Sequence, residues 1–206
     1  MLGTIDTGEF ELTITHEATG RDLSRGLRLQ QEGKATLEAW LTHATTSIEG
    51  SRPTLAAIAE WDVGIVDAVI EAVFDTSVGI APAPDNPPLK YPKRYRLGTV
   101  EELESLRDAV REDEEAFDKS ELLLIALTEG RKVKHTQEAQ RGAQHPGEVP
   151  FLLLASLLEF EGEKIDVNTL LDTFTAGQIQ AMLPIITPKK PTFKPIKKSE
   201  HSPRKT

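Results

Sequence analysis

The chain contains no cysteine, which excludes disulfide bridges, thiolate metal ligands and cysteine nucleophiles. Aromatic residues make up only 5%, which is thin for a base-stacking surface or a sugar-binding cleft. The Gly-rich phosphate-binding patterns and the GxSxG nucleophile motif do not occur, and no two histidines have the spacing of an HxH or HxxxH metal-binding pair. The sequence therefore predicts a non-enzymatic protein with no catalytic site, metal site or cofactor.

Long hydrophobic runs are also absent. The longest, over 151–158, is far shorter than the roughly 20 residues that cross a bilayer as a helix. Residues 1–10 include Asp6 and Glu9 and lack the apolar core of a signal peptide. With 38% hydrophobic and 28% charged residues, the 206-residue chain has the composition of a globular protein. We therefore expect a cytoplasmic protein without membrane contact.

Charge is distributed unevenly along the chain. Residues 188–206 contain seven basic residues and one glutamate, a net charge of +6, whereas residues 1–187 contain 17 basic and 32 acidic residues, a net charge of −15. An acidic body disfavours nucleic-acid binding, because phosphate contacts need a positive surface. The tail is either a solubilising terminus or an electrostatic tether for an acidic partner or, weakly, for nucleic acid. The tether hypothesis assigns partner binding to Lys189, Lys190, Lys194, Lys197 and Lys198.

Apolar periodicity predicts a mainly α-helical protein with short β-strands. Alternation over 10–15 and an apolar run over 121–127 indicate strands, and the segments with helical spacing indicate helices. Helices are predicted over 21–32, 36–48, 53–59, 62–74, 99–117, 132–141, 151–160, 168–174 and 175–183.

Several helices have recognisable start signals. Thr99 and Glu102 have the spacing of a capping box, and Asp62 and Thr175 each precede an apolar helix. Asp22 likewise lies at a helix start. A carboxylate there accepts backbone N–H bonds, so Asp22 and Asp62 are predicted to be structural rather than catalytic.

Both tryptophans are predicted to pack in the core. Trp40 lies on the apolar face of its helix. Trp61 stands directly before a cap, the position of a hydrophobic staple.

The middle of the chain changes character. Five prolines between Pro82 and Pro92 indicate an extended linker, and the helix that follows is rich in acidic residues on its outer face. We predict two related small α-helical units joined by the Pro-rich linker and the acidic helix. The segments are an N-terminal strand-plus-helices unit over 1–80, the linker over 81–98, the acidic connector helix over 99–119, a related C-terminal unit over 120–187 and the basic disordered tail over 188–206.

The relation between the units is an internal repeat. Glu11-Leu12 and Gly20-Arg21 match Glu121-Leu122 and Gly130-Arg131 at a spacing of 110 residues. Glu49-Gly50 matches Glu161-Gly162 at a spacing of 112, and the segment from Trp61 matches the segment from Phe174 at a spacing of 113. Three inserted residues account for the drift, so the pattern favours a duplicated unit over chance similarity.

The first unit resembles phage tail assembly chaperones. The resemblance is carried by Glu17-Ala18-Thr19-Gly20-Arg21-Asp22-Leu23, which follows a short strand and opens a helix. An amphipathic helix ending near Gly50, a short helical segment and an Asp-capped helix follow in the family's order. The second unit departs from the motif, since Thr128-Glu129-Gly130-Arg131-Lys132-Val133 lacks the aspartate.

The resemblance implies a non-catalytic role in virion assembly. Such a protein is expected to hold the long, helical tape-measure protein, to contact tail-tube subunits, and to leave the finished particle. The open alternatives are a structural or adaptor component of a phage tail or contractile apparatus, and a hydrolase or nuclease built on converging carboxylates. Phe151, Leu154 and Leu158 are candidate partner-binding residues because their helix is apolar nearly all round, although a buried central helix explains this pattern equally well.

Overall fold

The computed structural model describes residues 2–86 and 90–187. These residues form seven strands and ten α-helices, with a 3-10 helix at Pro146–Glu148. The strands are β1 (Gly3–Asp6), β2 (Glu11–Ile14), β3 (Thr46–Ser47), β4 (Val78–Pro82), β5 (Lys93–Thr99), β6 (Leu123–Leu127) and β7 (Leu158–Phe160). The helices are α1 (Gly20–Gln31), α2 (Leu37–Thr45), α3 (Leu55–Ile58), α4 (Val63–Val73), α5 (Val100–Glu112), α6 (Ala116–Lys119), α7 (Val133–Gly142), α8 (Val149–Leu157), α9 (Val167–Thr173) and α10 (Ala176–Ile186).

The fold is mixed α/β, and the prediction of a mainly α protein was wrong. About 51% of the residues are helical and 19% lie in strands. One antiparallel sheet has the order β1-β2-β3, and a second has the order β4-β5-β6-β7. The strands missed from the sequence include both edge strands of each sheet and β5, which pairs on both sides.

Helix starts follow the sequence closely. Thr99 and Glu102 form the capping box of α5, and Thr175 forms one with Gln178 at α10. The Asp62 carboxylate accepts the amide of Gly64 at 2.7 Å and so caps α4. These short-range interactions need only residues within one turn, which explains why a local pattern predicts them.

Two strands follow a helix without any connecting residue. Helix α2 ends at Thr45 and β3 begins at the next residue, and α8 passes into β7 in the same way. In each case the following turn has a glutamate and a glycine with positive φ, at Glu49-Gly50 (49° and 79°) and at Glu161-Gly162 (50° and 83°). The helices predicted over 36–48 and 151–160 therefore extend three residues past the ends of α2 and α8, because those residues leave the helix for β3 and β7 and the turns that follow.

Hydrogen bonds relate the two halves of the chain at spacings of 113 residues for the donor and 112 for the acceptor. The amide and hydroxyl of Thr15 both donate to the carbonyl of Thr45, and those of Thr128 both donate to the carbonyl of Leu157. The pairings of β1 with β2 and β5 with β6 also match, since Gly3 pairs with Ile14 and Lys93 with Leu127. The spacing of 110 proposed for the first block is therefore wrong.

A histidine–carboxylate contact obeys the 113-residue spacing with its two residue types exchanged. His16 Nε2 lies 3.5 Å from the Asp22 carboxylate, and Glu129 Oε1 lies 3.2 Å from His135 Nε2. Gly20 opens α1, whereas Gly130 lies in the loop before α7. A loop glycine therefore produced the misleading match.

The segment expected to be a linker contains two strands. Residues 78–82 and 93–99 are β4 and β5, and only the residues between them connect. Strand β5 pairs with β6 as β1 pairs with β2, and α5 and α6 lie between the two strands of this second hairpin. The prolines correctly indicate a connection between β4 and β5, but they gave no indication that β5 follows it.

One hydrophobic core joins both halves. It includes Leu12 and Leu41 from the first half and Leu154, Leu158 and Ile179 from the second. A smaller cluster lies under α5 and α6. The shared core holds the surfaces of both halves in fixed positions.

A buried arginine fastens α6 to the second sheet. Arg96 is only 6% exposed, and its guanidinium donates to the carbonyls of Phe117, Asp118 and Leu122. The carbon of the guanidinium also lies 5.5 Å from the centre of the Phe117 ring. The charge is thus stabilised by backbone dipoles and an aromatic face.

Within the described residues, the structure contains no helix with the length and apolar character needed to cross a membrane.

Candidate partner-binding groove

The three apolar residues proposed as a partner-binding surface lie in the core. Phe151 is 1% exposed, and Leu154 and Leu158 are fully buried. Helix α8 packs against α7, α9 and α10, so it is apolar all round because it is central. The five lysines of the tether hypothesis lie outside the described residues.

Helix α1 covers a surface of the second half of the chain. The amide of Gly20 donates to the carbonyl of Phe174 at 2.9 Å, and the amide of Ala176 donates to the carbonyl of Ala18 at 2.7 Å. A Cβ atom on Gly20 would lie 2.5 Å from Ile179 Cδ1 and 2.9 Å from Leu171 Cα. The first turn of α1 therefore packs so closely on α9 and α10 that any side chain larger than that of glycine would force α9 to shift.

Charge pairing extends this contact to the surface. The Arg21 guanidinium binds the Asp172 carboxylate through two hydrogen bonds, one of them 2.6 Å from Nη2. The hydrogen bond from Arg21 lowers the pKa of Asp172, and the same bond raises the pKa of Arg21. Both side chains are about half exposed, so the pair orients the helix more than it stabilises the fold.

The corresponding surface of the first half is open. In the 113-residue register, Val63 matches Ala176 and Val66 matches Ile179. Ala176 and Ile179 are fully buried, whereas Val63 is 72% exposed and Val66 is half-buried. The inward-facing Val69 is buried like its counterpart Met182, so the two helices differ only on their outer faces.

This open surface forms a groove, which we call the α3–α4 groove. Its volume is about 570 Å³. Apolar side chains of α3 and α4 form its floor, and charged side chains stand at its margins. It is lined by Lys34, Ala35, Thr36, Glu38, Ala39, Leu55, Ile58, Ala59, Trp61, Val63, Val66 and Asp67.

Trp61 helps to shape the groove. The sequence predicts it as a core residue and as a staple before a helix cap, but in the structure it is only half-buried. Its ring lies 5.2 Å from that of Phe10, which supports it from behind, and it lines the groove with Val66. Trp40, by contrast, is buried as expected, and its Nε1 donates to the carbonyl of Asp22.

Lys34, at one margin of the groove, forms an ion pair with Glu32. Its Nζ lies 2.6 Å from the Glu32 carboxylate. This hydrogen bond lowers the pKa of Glu32, with smaller contributions in the same direction from Arg28 and His145. The Glu32 carboxylate therefore holds the Lys34 ammonium beside the groove.

A second cleft, of about 820 Å³, lies between β4, β5 and α10. Tyr91, Tyr95 and Ile80 line it, and Thr187 stands at its margin. Burial raises the pKa of Tyr95, with a smaller contribution from Tyr91. No equivalent surface in the other half of the described chain is covered by a helix, so the structure does not indicate which kind of ligand this cleft would bind.

The groove was missed from the sequence because its residues have the same periodicity as core residues. Leu55, Ile58 and Val66 fit the apolar face of their helices as well as Val69 does. Only a comparison of the two halves of the repeat could have revealed the groove. In the repeat, a valine at the start of α4 matches an alanine in the second half, and the larger side chain lies on the uncovered surface.

Comparison with protein-family models, with curated proteins and with solved structures gives no match to the chain. Within residues 2–86 and 90–187, no three side chains of the metal-binding types lie close enough to hold an ion together.

Proposed function

We propose that the chain is a non-catalytic phage tail assembly chaperone. In this proposal it acts in the host cytoplasm and holds a helical segment of the tape-measure protein, or of another tail protein such as the tube subunit, during assembly. The observation that supports this most directly is the open α3–α4 groove, whose counterpart in the second half is covered by an amphipathic helix of the chain itself.

The internal contact shows the kind of ligand that such a surface accepts. Helix α1 places Gly20 and Leu23 against the rest of the fold, where both are buried, and exposes Arg21 and Arg25 on its other face. An amphipathic partner helix would offer anchors at the i, i+3, i+4 and i+7 spacing to Leu55, Trp61 and Val66 in the same manner. The resemblance to tail assembly chaperones implies a long, helical tape-measure protein as the partner, which would offer such helices.

The margins of the groove would orient the partner. Lys34 stands at one margin, and Glu38 and Asp67 contribute negative charge. A helix with an apolar stripe between basic and acidic flanks complements this arrangement. Because the groove is partly open, binding is expected to be reversible, as release during assembly requires.

The test is co-expression of the chain with a helical segment of the tape-measure protein from the same genome. We expect a soluble complex of defined mass by light scattering, with the segment insoluble when expressed alone. Val63→Asp should abolish the complex, because it places a charge on the apolar floor. Val133→Asp is the matched control, since Val133 is also the first residue of a helix and is 75% exposed.

Two outcomes would contradict the proposal. Equal loss of the complex in both variants would show that the groove is not the binding surface. Recovery of the chain as a stoichiometric component of mature particles would favour a structural or adaptor protein of the tail, because a chaperone leaves the particle.

A further inference from the structure

A cleft beside α1 collects four arginines in a chain whose net charge is −9. Its volume is about 440 Å³. Arg21, Arg25 and Arg28 follow one another at i, i+4 and i+7, so they form a single stripe along the helix. Arg52, after the turn that follows β3, lines the same cleft. No feature of the α3–α4 groove depends on these residues.

The arginines are not matched by acids in the cleft. Arg21 is paired with Asp172, and Arg28 Nε lies 3.6 Å from Glu32. Arg25 and Arg52 form no ion pair with any described residue. The Arg28 Nε–H is buried, and nothing in the described part of the chain accepts a hydrogen bond from it.

The two acids that line the cleft are committed to local structure. The Asp22 carboxylate accepts the amide and hydroxyl of Thr19 as part of the α1 capping box. The Glu148 carboxylate accepts the amides of Gln144 and His145. Neither carboxylate pairs with Arg25 or Arg52, so these two guanidiniums keep hydrogen-bond donors available to an anion.

The arginines are held in place for binding. The Arg25 guanidinium lies 4.6 Å from the centre of the Trp40 ring, and Trp40 is itself fixed by its hydrogen bond to Asp22. Stacking on an aromatic face limits the rotamers of the arginine and leaves the edge of its planar group available to an oxyanion. The Arg25 side chain would therefore lose little conformational entropy when a ligand binds.

We propose that this cleft binds the carboxylate side chains of an acidic peptide segment. A guanidinium matches a carboxylate with two parallel hydrogen bonds, and neither Arg25 nor Arg52 has an ion pair with a described residue that would compete for them. A short peptide with few carboxylates fits better than nucleic acid, because residues 1–187 carry a net charge of −15, which opposes a polymer with a charge on every nucleotide more strongly than a peptide with few charges. The cleft would then give the protein a second, charge-dependent contact with a partner.

The test uses fluorescence anisotropy of a labelled peptide of glutamate and alanine with the full chain at low salt. We expect binding that weakens as salt rises, and about a tenfold loss of affinity when Arg25→Gln and Arg52→Gln are combined. Both arginines are exposed, so the fold should persist. Arg107→Gln is the control, because it removes an exposed charge from α5 that has no ion pair with the described residues.

Three results would overturn the assignment. One is an equal affinity of the double variant and the wild type. Another is an equal loss in the Arg107→Gln control, which would indicate general electrostatics only. The third is tighter binding of a single-stranded oligonucleotide or of inorganic phosphate than of the peptide, which would make the site one for phosphate groups. Failure of the co-expression test leaves this result unaffected, since the peptide contains no apolar helix face.

Discussion

Gly20→Ala probes the contact on which the assignment of the α3–α4 groove depends. The first turn of α1 packs on α9 and α10, and the added Cβ would lie 2.5 Å from Ile179 Cδ1, 2.9 Å from Leu171 Cα and 3.0 Å from the Leu171 carbonyl oxygen. The isoleucine methyl can rotate away. The backbone of Leu171 lies in α9 and moves only with that helix.

The size of the effect follows from these distances. Ordinary contact begins at 3.4 Å, so the Cα of Leu171 must move by at least 3.4 − 2.9 = 0.5 Å. Overpacking of this kind costs about 1–3 kcal/mol, and alanine recovers at most about 1 kcal/mol of helix propensity relative to glycine. We expect a net loss of about 1–2 kcal/mol, which lowers the Tm by about 2–8 °C for a chain of this size.

Urea unfolding monitored by circular dichroism measures this loss. Gly142→Ala is the control, because Gly142 ends α7 and its added Cβ would meet only Leu152 Cδ1 at 3.9 Å. The control should be neutral or slightly stabilising. If Gly20→Ala were as stable as the wild type, α1 would not meet α9 closely, and the comparison that identifies the open groove would lose its basis.

Three further effects are expected. Leu154→Ala, in the fully buried centre of α8, should lower the free energy of unfolding by about 2–5 kcal/mol; a loss of partner affinity at unchanged stability would restore it as a binding residue. Arg96→Met should cost about 2–4 kcal/mol in the same urea assay because it leaves three carbonyls without their donor, whereas Arg94→Met, at a more exposed ion pair, should cost about 1 kcal/mol or less; equal costs would refute the anchoring role. Hydrogen bonds donated by the backbone amides of Thr169 and Asn168 lower the pKa of Asp166 from its ordinary value of 3.8, so the stability that its carboxylate contributes is present above that pH and is lost as the pH falls through the folded pKa. The Tm of Asp166→Asn should therefore decline less between pH 5 and pH 2 than that of the wild type, and parallel curves would contradict this.

Helices and their caps could be predicted from the sequence because the interactions that define them are local. The box at Thr99 and Glu102 needs residues three positions apart, and the cap at Asp62 needs two. Strands depend on partners distant in the chain. Strand β5 includes Arg94 and Arg96, which read as surface charges, and only the fold shows that the Arg96 charge is satisfied by carbonyls of another segment.

Two blocks of the repeat have the same spacing in the sequence and in the structure, 112 residues at Glu49-Gly50 and 113 from Trp61, but the spacing of the first block was wrong. The match at Gly130 came from a loop glycine, whereas the hydrogen bonds of Thr15 and Thr128 fix the spacing at 113. The distinction between core and groove has the same origin. Val63 and its counterpart Ala176 begin equivalent helices, and whether either is exposed depends on where α1 packs.

Hydrogen exchange on the complex with a tape-measure helical segment tests the central claim most directly. We expect slower exchange of amides in residues 55–67 when the segment binds, with little change in α9 and α10, which α1 already covers. Protection confined to another surface, or none in residues 55–67 while the complex remains intact, would contradict the claim that the open groove is the binding site.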